Sequence, residues 1–147
     1  MNVRQITIFL EDKPGTLHDV IETLTEKNIH IRSFTAVDMG GVTILRLIVD
    51  NIVYAASILK GMGLQTSFTD VFVADIPDTE SGLVEVLDIL KRADVNIQHV
   101  YPIMSKNTIR LSNAVHMVFE VSDNERAMIF LEQHEIRLLT QEELAAL

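Results

Sequence analysis

Residues 6–37 read ITIFLEDKPGTLHDVIETLTEKNIHIRSFTAV, and their periodicity decides the fold. From residue 4 to 10 polar and apolar residues alternate, which predicts a half-buried strand. Glu11 to Gly15 is a turn punctuated by Pro14 and Gly15. Thr16 opens a Thr-x-x-Asp start signal, after which Leu17, Val20, Ile21 and Leu24 recur at helical spacing. Alternation returns from Asn28 to Met39, with Ile29, Ile31 and Ser33 on one face. Gly40-Gly41 is a two-residue hairpin signal leading into a strand over 42–49. Asp50-Asn51 caps a second helix over 52–62, Gly61 and Gly63 end it, and 64–68 is a closing strand. The order is βαββαβ.

Displaced by 66 residues, the sequence matches itself: Asp12 falls on Asp78, Leu17 on Leu83, Val20 on Val86, Leu24 on Leu90 and Ile31 on Ile97. The order of elements repeats as well. A strand is predicted over 71–77, a helix over 83–93 with Leu83, Val86, Leu87 and Leu90 inward, and a hairpin from 94–104 and 114–121. Its loop, running through SKNTIRLSN, is about six residues longer than the first. Ser122-x-x-Glu125 caps a further helix, 135–139 closes the unit, and Thr140-x-x-Glu143 starts a short terminal helix expected to be solvated. No Pro/Gly/Ser-rich linker lies near residue 70, so two units, 1–69 and 70–147, are expected to pack side by side.

Composition removes several functions. With 12 basic against 21 acidic residues the net charge is −9, unsuited to nucleic-acid phosphates or anionic membrane surfaces. Cysteine is absent, so disulfides, thiolate metal sites and cysteine nucleophiles are excluded. The five histidines, at 18, 30, 99, 116 and 134, have no ligand spacing, and neither a metal site nor a cofactor is expected. No signal-peptide pattern or membrane-length apolar run is present, which predicts a cytoplasmic protein. No paired carboxylates, Ser-His-Asp order or phosphate loop appears, and the chain is read as non-catalytic.

Aromatics are only 5% of the chain, yet mean hydropathy is +0.24, an aliphatic surplus needing a location. The βαββαβ order predicts an α+β, ferredoxin-like unit with both helices on one face of an antiparallel sheet. The other face would carry Thr7, Phe9, Phe34, Ile44, Arg46, Ile48, Val71, Val73, Val100 and Val118. So apolar a face needs a cover, and a second copy of the chain is the economical one. A homodimer or higher oligomer is therefore expected.

The segment from Ile6 to Val37, with Asp-Lys-Pro-Gly-Thr-Leu between strand and helix and Asn-Ile-His-Ile opening the next strand, resembles the ACT domain, a small-molecule regulatory module of amino-acid metabolism. Residues 70–139 resemble it less by motif: Asp78, Gly82 and Leu83 are present, the Pro-Gly pair is not. The resemblance implies a tandem ACT protein that binds a free amino acid between two units, at the turn of one and the second strand of the other. Carried over residue by residue, it selects Asp12, Lys13, Pro14, Gly15, Thr16, Leu17 and His30, with Asp78 and Asn96 in the second copy. Some relatives carry Asn where His30 stands, and Asn96 matches that type. Asp78 also reads as a helix-start acid, and His30 as a solvated or interface histidine.

The turn has a physical logic of its own. A helix start offers unpaired amides and the positive end of the dipole. Gly15 permits close approach of a carboxylate, through the amides of Gly15 and Thr16, while Asp12 can accept from an ammonium group. The expected role is amino-acid sensing. The alternative is the regulatory subunit of a biosynthetic enzyme, since the first half is similar to acetolactate synthase small subunits.

Overall fold

The structure is a computed structural model that describes residues 2–104 and 115–147. The loop expected through SKNTIRLSN, and Ala114 at the start of the strand after it, lie outside the described residues. The chain divides into two compact units whose bodies are Arg4–Thr69 and Asp70–Ala145.

The first unit contains β1 (Val3–Glu11), α1 (Thr16–Glu26), β2 (Ile31–Asp38), β3 (Val42–Val49), α2 (Ile52–Gly61) and the start of β4 (Thr66–Ile76). Its strand order is β4-β1-β3-β2, and β3 runs antiparallel to both β1 and β2. The second unit begins with the rest of β4 and continues with α3 (Gly82–Arg92), β5 (Ile97–Pro102), β6 (Val115–Val121), α4 (Asn124–Gln133), β7 (Leu138–Leu139) and α5 (Gln141–Ala145). Its order, β7-β4-β6-β5, is the same antiparallel plan. Each unit is thus the ferredoxin-like βαββαβ arrangement.

Turn chemistry explains the boundaries. Gly40 and Gly41 both adopt positive φ, 68° and 94°, and the Met39 amide donates to the Val42 carbonyl at 2.8 Å, closing a tight hairpin. The four longer helices all end on a left-handed residue, Asn28, Gly63, Asp94 and Glu135. In each case the following amide reaches back to the helix, as from Ile29 to the Leu24 carbonyl at 3.0 Å and from Val95 to Leu90 at 3.1 Å.

Apolar spacing builds one core per unit. Ile6, Ile8 and Leu10 of β1 meet Leu45, Leu47 and Val49 of β3 beneath Val20 and Leu24 of α1 and Leu59 of α2. In the second unit Phe72 and Phe119, register partners on β4 and β6, stack at 5.2 Å beneath Val86, Leu90 and Leu131.

Several expectations are corrected. The strands predicted over 64–68 and 71–77 are one strand, because nothing between Thr66 and Ile76 breaks the extended pattern. The strict alternation of Ile29, Ile31 and Ser33 fails at a bulge: Ile31 pairs with Val49 but Ser33 with Ile48, so Arg32 is the extra residue. Thr16 does not cap α1. Gly15 holds the cap position without a side-chain bond, and the Thr16 hydroxyl donates to the Lys13 carbonyl. Asp123, not Ser122, caps α4 by accepting from the Arg126 amide at 3.1 Å. Leu83 and Leu87 are exposed, at 44% and 36%, because α3 turns Val86, Ile89 and Leu90 inward instead. The terminal helix is not wholly solvated, since Leu144 is buried; its start is the expected capping box, with Glu143 accepting from the Thr140 amide and the Thr140 hydroxyl from the Glu143 amide. On the sheet face expected to be bare, Ile48, Val71, Val73 and Val118 are buried, while Phe9, Phe34 and Val100 stay about 40% exposed.

Candidate functional site

The β1–α1 turn is built from local bonds. The Lys13 amide donates to the Glu11 carbonyl at 2.9 Å, the Thr16 amide to Lys13 at 3.3 Å, and the Asp19 amide makes the first helical bond, to Gly15 at 2.9 Å. The Asp12 amide reaches the Gly41 carbonyl at 3.4 Å, which fastens the turn to the β2–β3 hairpin. Consequently the Thr16 amide is engaged, and the unused donors differ from those expected: among the described residues no protein acceptor meets the amides of Gly15, Leu17 or His18. They lie at the positive end of the α1 dipole.

Gly15 sits at φ 88°, a conformation other residues adopt only with strain, and a Cβ added there would meet nothing within 4 Å. The space above the turn is open. The side chains are solvated: Lys13 pairs with Glu11 at 2.7 Å, and that pairing lowers the Glu11 carboxyl and raises the Lys13 ammonium.

The corresponding turn of the second unit is different. The Thr79 amide donates to Pro77 and the Gly82 amide to Thr79, while Ser81 holds the cap position with no side-chain bond. A Cβ on Gly82 would stand 1.9 Å from the Pro77 carbonyl oxygen. Here glycine is needed because the turn folds onto its own backbone. Asp78 lies within this tighter loop.

His30 and Asn96 occupy equivalent places at the entries to β2 and β5, and their backbones are held alike. The His30 amide donates to Asp50 Oδ1 at 3.0 Å, and the Asn96 amide to the Ser122 hydroxyl at 3.0 Å. The return bonds run from the Asp50 amide to the His30 carbonyl and from the Ser122 amide to Asn96. Sequence reading assigned Asp50 and Ser122 to helix caps and missed this service; no local signal reveals a partner 20 or 26 residues away. The first unit adds a bond that the second cannot copy: Asp50 Oδ2 lies 2.7 Å from His30 Nδ1. Burial alone would raise the Asp50 carboxyl, but bonds from the His30 ring, the His30 amide and the Asn51 amide outweigh it and hold the group below its ordinary value.

The predicted residues therefore form two groups per unit. Asp12 to Leu17 lie at the N-terminal end of α1 and His30 beyond its C-terminal end, so the 11-residue helix separates them by about 16 Å. Asp78 and Asn96 are separated in the same way by α3. Between the two groups, the outer face of α1 and Phe34 of β2 form an open groove of about 520 Å³, with Leu17, Ile21 and Phe34 as its apolar surface and His18, Glu22, Thr25 and Glu26 also lining it. Asn96 lines a smaller cleft of about 290 Å³ with Leu87, Lys91 and Ile97.

The sequence matches the family described as the ACT domain pair over residues 1–147. The chain belongs to this family. Among solved structures, an ACT-pair chain of this kind is similar to a protein from Bacteroides thetaiotaomicron, at 28% identity and a TM-score of 0.89 over 100% of this chain and 98% of that one. It also resembles the regulatory subunit of aspartate kinase from Thermus thermophilus, at 14% identity and a TM-score of 0.60 over 88% and 91% of the two chains. The same subunit from Thermus flavus gives 14% and 0.60 over 90% and 92%. No curated protein matches the sequence. Among the described residues no helix is long and apolar enough to cross a membrane.

Proposed function

We infer that this ACT pair is a non-catalytic, cytoplasmic sensor of a free amino acid, with 1–69 and 70–147 as its two domains. The observation carrying this reading is the open β1–α1 turn, where the amides of Gly15, Leu17 and His18 have no protein acceptor and nothing fills the space over Gly15. An α-carboxylate satisfies those donors, and Asp12 accepts from the α-ammonium group. Lys13, Pro14, Thr16 and Leu17 shape the rim. Asp78 and Asn96 are the matching positions of the second unit.

A turn and a second-strand residue about 16 Å apart cannot grip one amino acid, so the site is completed by a second copy of the chain. A two-fold axis that lays α1 against its equivalent, antiparallel, brings the turn of one copy to His30 of the other. The surface that would be covered suits this: β2 is the outer strand of its unit, and the apolar groove over Leu17, Ile21 and Phe34 runs beside it. Ligand binding then favours the paired state by its differential affinity, which is the regulatory output. Those aspartate kinase subunits support the reading only through shared fold, and an enzyme partner for this chain is the alternative output.

Calorimetry of the full chain against the twenty L-amino acids, followed by sedimentation with and without the binder, tests the proposal. One or a few amino acids are expected to bind and to shift the chain toward a dimer, and Asp12→Ala is expected to weaken binding about 10- to 100-fold. No heat from any amino acid at millimolar concentration would remove the reading.

A further inference from the structure

The two units hold the same backbone position with different chemistry. Asn96 is supported by the neutral Ser122 hydroxyl, whereas His30 is supported by a carboxylate that contacts both its amide and its ring. The Asp50 side chain is only 18% exposed and the His30 side chain 55%. One member of the pair is anchored and the other presented.

Asp50 is ionised, since three hydrogen bonds favour its charged form. An ionised carboxylate only accepts, so His30 Nδ1 must carry the proton in the 2.7 Å contact. In the neutral ring Nε2 is then bare, an acceptor facing outward. The Asn96 side chain has no such constraint, because an amide can turn either its oxygen or its nitrogen to a neighbour.

We propose that Asp50 is a positioning residue that fixes the Nδ1–H tautomer of His30, and that the first site thereby selects ligands bearing a primary ammonium group, which donates to Nε2. This rests on the amino-acid reading above and gives it a specificity element. An ammonium group has three N–H donors, so Asp12 and Nε2 can be satisfied together. The second unit, with Asn96 and Ser122, lacks this polarity filter and discriminates less between an ammonium and a hydroxyl at the same place.

Asp50→Asn supplies an informative reversal. Its amide oxygen can still accept from the His30 and Asn51 amides, which Asp50 Oδ1 now holds at 3.0 and 2.8 Å. The amide nitrogen is left facing Nδ1, so the ring must accept there and carry its proton on Nε2. The outward atom changes from acceptor to donor while the fold is kept.

The experiment combines nitrogen NMR of the histidine rings with calorimetry on the full chain. Probes are the twenty L-amino acids and, for each that binds, its 2-hydroxy acid analogue. The wild type is expected to show His30 protonated on Nδ1 and to prefer the amino acid over the hydroxy acid by about tenfold. Asp50→Asn should move the proton to Nε2, weaken amino-acid binding by about tenfold and erase that preference, while its circular dichroism spectrum stays that of the folded wild type. His30→Asn combined with Asp50→Ser, which copies the second unit, should restore binding with little preference. A wild-type His30 protonated on Nε2, or Asp50→Asn binding amino acids as tightly as the wild type, would overturn the proposal and leave the sensor reading standing. Absence of binding by every amino acid would remove both.

Discussion

Phe119→Ala is expected to destabilise the protein by about 4 kcal/mol, the scale of removing a large, fully enclosed aromatic from a core. Phe119 is fully buried on β6 and is the register partner of Phe72 on β4, with the two rings 5.2 Å apart and tilted by only 9°. Truncation removes the transfer energy of the ring, leaves a void and exposes one face of Phe72 to it. Collapse into the void is limited, because the surrounding residues, Val86, Leu90 and Leu131, are fixed by two separate helices. Urea denaturation measures the loss. Val53→Ala on α2, at 79% exposure, is the control and should change stability by no more than about 0.5 kcal/mol. A Phe119 loss below about 1 kcal/mol would mean that the ring stack is not a packing element.

Gly82→Ala is expected to cost about 3 kcal/mol, the upper end for inserting a methyl where there is no room. The added Cβ would lie 1.9 Å from the Pro77 carbonyl oxygen and 2.9 Å from its carbon. Both are backbone atoms, so no rotamer change relieves the contact; the turn between β4 and α3 must open. Gly15→Ala at the matching turn meets nothing within 4 Å and carries only the cost of its φ of 88°, about 1–2 kcal/mol. Thermal melts of the two variants rank them. Equal melting temperatures would show that the second turn yields freely.

What the sequence revealed follows from which forces are local. The element order, the Gly40-Gly41 hairpin and the end of α2 at Gly63 depend on residues within a few positions of one another, and each was legible. The bulge at Arg32 was not, because it is a property of pairing with β3 and leaves no mark on β2 alone. Burial on α3 was misjudged at Leu83 and Leu87, since a wide apolar stripe does not say which edge faces the sheet. At the site, the Pro-Gly turn announced itself, but Asp50 did not: its neighbour Asn51 takes the cap, with its side chain accepting from the Tyr54 amide, and frees the carboxylate for a distant histidine.

The absence of a break in β4 bears on how such a chain can be handled and how it can have diversified. Asp70, where the two bodies divide, lies inside a strand of 11 residues, not in a tether. A protease needs several residues of pliable backbone, and insertion or permutation needs a solvated loop tip. Neither is offered between Thr66 and Ile76. Cutting the gene at residue 70 leaves each half with a severed strand end, so isolated halves are expected to be aggregation-prone, and recombination that exchanges one half for an unrelated module is disfavoured.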